Sequence, residues 1–534
     1  MRILLFIPLI FIIAVSLGCS KDSTPSQNSP SSNQITIATS DDPLSLDPRL
    51  VRDLATATVM RMLFEGLMRT NSKGILEPAC AQEVAISEDQ TIFTFILRPC
   101  MWSDGTAVTA EDFAETWKSA LKPDFPAPNA YQFYLIKGAK DAKEGRAPPD
   151  QIGIKAESPN TLVVELEQPA PYFLELVACH FYFPVNRTMR LSNEPITGNI
   201  IGNGPFKYEN WQHRHEFSVV KNPDYWDAKS IQIDKIILQV LEEHTALQLF
   251  KIGQIDWTGS PLNTLPQDAI EILKEQNILK VAPGAGTHWF RFNTERLPFT
   301  NQKMRQAFSL ALDRHAIVEH VTQGNQSPAT GILPPSLEID NQQYYEDHDL
   351  GKANMLFSEA LDELGFSRDQ MTPITLHYTA NDRSHKIAQA VQQQWNTLSN
   401  VPITLESGES KVTYDRLNRK DYQICLGSWY ADILDPINFL EIFKDKDNPT
   451  NQTSWQNETY ARLLDQSSKE TNPQKRLQLF NAAERILIEE MPIAPLFYAS
   501  FNYLKKESLE NVYFSPLGYL DFKEAYWQPH AMEK

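Results

Sequence analysis

Cysteine, positive charge and long apolar runs are all scarce in this chain, and each scarcity excludes something. Five cysteines occur in 534 residues. Beyond Cys19 the other four, Cys80, Cys100, Cys179 and Cys425, allow three pairings. Cys80 and Cys100 flank an expected strand hairpin and are candidates for a disulfide across it, with buried free thiols as the alternative. Lys and Arg number 49 against 67 Asp and Glu, a net charge of −18. That balance argues against nucleic acid and against electrostatic attachment to anionic lipid. Catalytic signatures are missing as well: there is no Gly-x-Ser-x-Gly, no His-Glu-x-x-His and no phosphate-cradling glycine loop. Gly202-Asn203-Gly204-Pro205 and Gly284-Ala285-Gly286 read as turns. His213 and His215 lie two apart on an expected strand and share a face, but no third ligand is visible, so no metal and no cofactor is expected.

The first residues are the exception to the shortage of apolar sequence. Arg2 precedes a nearly unbroken apolar run from Ile3 to Leu17, shorter than the roughly 20 residues a membrane span needs, as in a secretion signal. The run ends in Ser16-Leu17-Gly18-Cys19, which resembles a bacterial lipoprotein cleavage site, with Cys19 as the lipid attachment point. Ser16 stands where such sites usually carry Leu. Residues 20–34 are almost entirely Ser, Thr, Pro, Asn and Gln, with nothing to bury, and are expected to form a tether reaching roughly 20 Å. Loss of residues 1–19 removes one positive charge and leaves a mature balance of −19.

The remaining chain exceeds one hydrophobic core, so two or three domains are expected. No repeat appears. Met60, Leu63, Phe64, Leu67 and Met68 follow a helical stripe, as do Ala353, Leu356, Phe357, Ala360, Leu361 and Leu364, stopped by Gly365. Leu477, Phe480, Ala483, Ile486 and Leu487 form another. Phe93, Phe95 and Leu97 alternate with Ile92, Thr94 and Ile96, as in a strand buried on both faces. Leu162, Val164 and Leu166 alternate with polar residues, as in a half-exposed strand. Thr109 is placed to cap a helix with Glu111 and Asp112 in its first turn. The class is α/β with several lobes.

The most informative stretch is Leu426-Gly427-Ser428-Trp429-Tyr430-Ala431-Asp432-Ile433-Leu434-Asp435-Pro436. Asp432 sits three residues after a tryptophan in a segment too apolar for a solvated loop. A buried carboxylate needs a partner, since leaving it unpaired costs several kcal/mol. Where the protein supplies none, a ligand ammonium can. The plainer alternative is that Asp432 caps the turn before Asp435-Pro436.

This stretch resembles the ligand-binding segment of the oligopeptide-binding proteins that serve ABC peptide importers. Further segments carry the same resemblance in order: Ser45-Leu46-Asp47-Pro48, Leu63-Phe64-Glu65-Gly66-Leu67, Trp102-Ser103-Asp104-Gly105-Thr106, Gly204-Pro205-Phe206-Lys207, Asn222-Pro223-Asp224-Tyr225-Trp226 and Ala311-Leu312-Asp313-Arg314. The resemblance implies a two-lobed periplasmic-binding-protein fold with a hinge and an extra small domain. Lobe I would comprise 35–75, 200–292 and 495–534, the small domain 76–199 and lobe II 293–494. It also implies that Asp432 meets a peptide's α-ammonium, with Trp429 and Tyr430 walling the pocket. Gly427, Ser428 and Tyr430 would bind the ligand backbone strand-fashion. His385, and less closely Arg296, match the basic residues that meet the far carboxylate, while Leu426 stands where some members carry an arginine. Tyr131 or Tyr134 would close the cleft from the small domain.

The expected function is therefore capture of short peptides for an ABC permease by a monomer held at a bacterial membrane, in the periplasm or at the cell surface. The rivals are another solute on the same fold (a nickel complex, haem or a muropeptide), a peptidase, for which no nucleophile or metal set is present, and a signalling or chaperone use of the cleft. Mass spectrometry of the mature N-terminus is expected to show an acylated cysteine at position 19. An N-terminus at Met1, or cleavage elsewhere without lipid, refutes the anchor.

Overall fold

A computed structural model describes residues 33–529 apart from 52, 192–199, 338–342, 372, 400–401 and 449. The secretion signal, Cys19 and nearly all of the expected tether lie outside the described residues.

The chain begins with β1 (Gln34–Thr39), so Gln34 is strand rather than tether, followed by α1 (Leu54–Leu63). A small antiparallel sheet comes next, made of β2 (Ala81–Ile86), β3 (Ile92–Leu97), β4 (Ile154–Ser158) and β5 (Thr161–Glu165), with α2 (Ala110–Ala120) between β3 and β4 in sequence. Then follow β6 (Phe206–Gln212), β7 (Glu216–Lys221), β8 (Lys235–Val240), β9 (Trp257–Gly259) and the long β10 (Lys280–Phe292). Helices α3 (Gln302–Leu310) and α4 (Leu350–Leu364) precede β11 (Ile374–Thr379), α5 (Asp382–Ser399), β12 (Ile403–Gly408) and β13 (Ile424–Tyr430). Helix α6 (Pro473–Glu490) leads into β14 (Ile493–Lys505).

One large sheet runs in the order β12-β11-β13-β10-β14-β9-β1-β8-β7-β6, with the short strand Ser327–Pro328 on β14. Among the described residues only β10 and β14 belong to both halves. Residues 280–283 pair with 500–503 in one half and residues 287–291 with 493–498 in the other, and the register breaks between Pro283 and Thr287. One core joins the small sheet and α1 to the first half. A second packs Phe290, Phe308, Phe357, Trp395 and Phe497 between α3, α4, α5 and the second half.

Local signals explain many of these elements. Thr109 and Asp112 form a reciprocal capping box at the start of α2. The stripe of α4 buries Ala353, Leu356, Phe357, Ala360 and Leu361, and Gly365 ends the helix in the left-handed region at φ 71°. Helix α6 buries Phe480, Ala483 and Leu487, and β5 buries Leu162 and Val164.

Several expectations are corrected. The stripe from Met60 to Met68 does not form one helix. It ends at Leu63, because Phe64 turns extended and Gly66 packs where any Cβ would stand 2.7 Å from the Val177 carbonyl oxygen. Strand β3 is buried on one face only, with Ile92 41% exposed. Gly284-Ala285-Gly286 lies inside β10 at its register break, not in a turn. His213 and His215 fall in the loop joining β6 to β7, where His213 packs on Trp211 and faces Asp42. Cys80 and Cys100 do meet at the base of the β2–β3 hairpin, but as buried free thiols rather than a disulfide. The hydrogen bond shared with the Cys100 thiol and burial push the Cys80 pKa up, which keeps it neutral.

Arg314 ties α3 and its following loop to β14. Fully buried, it donates to the Pro495 carbonyl at 2.7 Å, to Tyr345 Oη at 2.8 Å and to Asp347 at 2.7 Å. Arg314→Met strands the acid and the carbonyl. It is expected to cost roughly 3–5 kcal/mol, read as a lowered urea midpoint. A midpoint within error of wild type refutes this account.

Candidate functional site

Strand β13 reads Ile-Cys-Leu-Gly-Ser-Trp-Tyr, and its burial falls along its length from Ile424, Cys425 and Leu426 to an exposed Tyr430. On one side it pairs antiparallel with β10 throughout, from Ile424–Phe292 to Tyr430–Gly286. On the other side β11 pairs with it only at Ile424 and Cys425. Beyond that point the edge of residues 426–430 facing away from β10 has no strand partner among the described residues. Such an edge offers main-chain N–H and C=O groups to an added strand.

The chain leaves the sheet at Ala431, whose N–H donates to the Ala285 carbonyl at 2.8 Å. Asn438 then fixes the turn: its Oδ1 accepts from the Asp432 N–H at 3.1 Å and from Trp429 Nε1 at 3.0 Å. The cap before Pro436 is supplied by Asp435, whose Oδ1 accepts from the Ile437 N–H and whose carboxylate pairs with Arg476. Asp432 is therefore spared that task.

Tyr131 comes to Asp432 from a one-turn helix, Ala130–Phe133, and donates its hydroxyl to Asp432 Oδ2 at 2.8 Å. The side-chain amides of Asn438 and Gln132 lie close enough to favour the charged carboxylate, without a hydrogen bond from Gln132 Nε2. No cation pairs with it among the described residues. Burial raises its pKa above the ordinary carboxylate value, and the three neutral neighbours offset this only in part. Tyr134 is half-buried in the core and makes no contact of this kind.

Tyr430 lies flat against the backbone of the neighbouring strand. Gly286 permits this, since a Cβ there would stand 2.6 Å from the ring. Its hydroxyl lies 3.1 Å from His288 Nε2, and His288 stacks on Phe497. The structure thus brings Gly427, Ser428, Trp429, Tyr430, Asp432 and Tyr131 together. Neither His385 nor Arg296 hydrogen-bonds or ion-pairs with them among the described residues. His385 Nδ1 lies 2.6 Å from Tyr378 Oη, and Arg296 pairs with Asp421 at 3.1 Å. Asn438 and Gln132 were not singled out from the sequence. Neither carries a local signal, because their role depends on the fold bringing them to Asp432.

A cavity of about 120 Å³ borders Asp432, lined also by Asp53, Arg61, Asn129, His180 and Tyr519. A larger one of about 390 Å³ shares Arg61, Cys179, Leu517 and Tyr519 with it and adds Leu337 and Ile433 from the opposite side. Arg61 does not neutralise Asp432: its guanidinium lies over the Tyr519 ring at 3.7 Å and donates to the Ala178 carbonyl.

An open strand edge, a desolvated acid without a cation among the described residues and adjoining cavities make this the candidate ligand-binding site. The profile of the bacterial extracellular solute-binding proteins, family 5, matches residues 76–451. The oligopeptide-binding protein OppA of Bacillus subtilis is 38% identical over 97% of this chain and 98% of its own length. MppA, a periplasmic murein tripeptide-binding protein, superposes in its unliganded open form with a TM-score of 0.81 at 29% identity, over 94% of this chain and 98% of that one. Haemophilus influenzae OppA in complex with the peptide RPPGFSPFR superposes with a TM-score of 0.74 at 25% identity, over 94% of this chain and 100% of that one. The chain belongs to family 5 of the bacterial extracellular solute-binding proteins, and its fold is their two-lobed α/β fold with a small additional domain.

The strained electrostatics of Asp432 have a measurable signature. A carboxyl whose pKa is raised on folding contributes stability that is complete below its unfolded value, near 3.9, and is lost as pH rises through its folded value. Asp432→Asn keeps the shape and removes the charge. Unliganded protein carrying it is expected to melt higher than wild type at pH 7, with the difference vanishing below the unfolded value. Equal melting at pH 7, in samples refolded free of ligand, contradicts this.

Proposed function

We propose that the protein captures short peptides between its lobes and hands them to an ABC permease for import. The observation that carries this reading is Asp432, a buried acid hydrogen-bonded by the Tyr131 hydroxyl, with neutral amides nearby and no cation among the described residues. A ligand ammonium completes it. The open edge at residues 427–430 beside it suits an extended backbone. Relatives named for oligopeptide binding, one of them holding a peptide, support the same reading. Haem and nickel complexes offer no primary ammonium, whereas peptides and muropeptides do.

In this reading residues 35–75, 200–292 and 495–534 form lobe I, 76–199 the small domain and 293–494 lobe II, with β10 and β14 as the hinge strands. Tyr131 belongs to the small domain and Asp432 to lobe II, so a ligand on Asp432 bridges them and favours the closed state. Cys19 carries a lipid that holds a monomer at the bacterial membrane, outside the cytoplasm.

Asp432→Ala removes one partner of a desolvated charge pair. The expected cost is roughly 3–5 kcal/mol, about a hundredfold or more in peptide affinity at 1.4 kcal/mol per decade. Acetylating the peptide's amine is expected to cost wild type a similar factor and the variant far less, because both changes delete one contact. Equal binding of acetylated and free peptide by wild type, measured by calorimetry, excludes the assignment.

A further inference from the structure

If Asp432 takes the amine, a zwitterionic ligand still needs a cation for its carboxylate, and the two basic residues expected from the sequence already have partners, Tyr378 and Asp421. Arg291 on β10 is a different kind of basic residue. It is 8% exposed, yet it has no ion pair and no hydrogen bond among the described residues. Its guanidinium reaches the Trp289 ring at 5.3 Å and otherwise lies on the backbone of Gly427, where an added Cβ would stand 1.4 Å from Nη1. Glycine at 427 is therefore what lets this side chain lie across β13. Burial weakens the hold on its proton, and only the neutral groups Tyr422 and Cys425 are placed to oppose that. A buried guanidinium lacking an acid is as incomplete as a buried acid lacking a cation.

Register places Arg291 on the face of the sheet that carries Gly427 and Trp429. Trp289 pairs with Gly427 and Arg291 with Cys425, so Arg291, Trp289, Gly427 and Trp429 share a face. Trp429 is hydrogen-bonded to Asn438, which also holds Asp432. Gly427 and Asp432 are five residues apart along the chain. At about 3.3 Å per residue the span is at most about 17 Å, within reach of an extended ligand of about three to five residues.

Resting on the peptide-binding reading, we propose that Arg291 is the receptor for a ligand carboxylate, lying over Gly427 at the opposite end of the site from Asp432. Its planar fork suits bidentate contact with a carboxylate. The carboxylate is the peptide's C-terminus or an acidic side chain near it.

The test is calorimetric affinity of the full chain for peptides of three to six residues, each as free acid, as C-terminal amide, and with Glu replaced by Gln at the last interior position. Wild type is expected to lose at least tenfold on removal of the carboxylate that reaches Arg291. The arm showing the loss, amide or Gln, identifies its source. Arg291→Gln is expected to abolish that discrimination while keeping its sensitivity to N-acetylation, which reports on Asp432 separately. Gly427→Ala displaces the guanidinium without removing it and is expected to abolish the same discrimination, covering the case in which Arg291→Gln does not fold. The proposal is overturned if neither the amide nor the Gln series costs wild type affinity at any length, or if the cost survives in the variants.

Discussion

The pairing of β10 with β14 is the constraint from which the rest of the site follows. These two strands, each of 13 residues, are the only ones among the described residues that contribute to both halves of the large sheet. Their ladder is continuous enough to hold the halves together, yet it breaks register at Pro283–Thr287, where two glycines admit neighbouring rings. A second irregularity follows between His288 and Trp289, and a ladder interrupted in this way bends more easily there than where it is continuous. Strand β13 is attached to the sheet through β10 just past this break, so whatever occupies its open edge sits beside the place where the halves articulate.

The chemistry of the cleft rests on an imbalance of the opposite sort, charge placed without its complement. Several buried acids elsewhere are paired within the protein, although Glu484 too is met only by neutral donors. Asp435 has Arg476, Asp347 has Arg314, and Asp521 has Arg69. Asp432 receives the Tyr131 hydroxyl, with neutral amides nearby, and burial pushes its pKa upward. Neutral donors orient a carboxylate without neutralising it, so the residue stays fixed in direction and still gains from meeting a cation. The unliganded fold bears the desolvation cost, and the ligand relieves it.

Local devices were legible in the sequence and distant ones were not. The Thr109–Asp112 box and the stripe of α4 with its Gly365 stop depend on residues within a few positions of one another, so composition and spacing reveal them. The stripe from Met60 to Met68 misled because the helix is ended by a contact between Gly66 and Val177, more than a hundred residues away. At the site, β13 and Asp432 could be picked out because aromatic residues beside an acid in an apolar segment are unusual in themselves. Tyr131 came from the resemblance to a family, and its bond to Asp432 spans 301 residues. Arg291 left no trace, since its meaning depends on lying across Gly427 in the neighbouring strand. His385 and Arg296 also came from the resemblance, and in the structure one is hydrogen-bonded to Tyr378 and the other paired with Asp421.

In the proposed reading, the site addresses features that every linear peptide shares. Main-chain groups along residues 427–430 see the same peptide backbone whatever the side chains. Ionic contacts at the termini are likewise blind to sequence, because every linear peptide has one ammonium and one carboxylate. What they do read is separation. An acid fixed by Asn438 and Tyr131 at one end, and a guanidinium fixed by the absence of a Cβ at Gly427 at the other, turn the sheet's own rise per residue into a ruler. Length, rather than composition, is then the property to which this geometry is most sensitive.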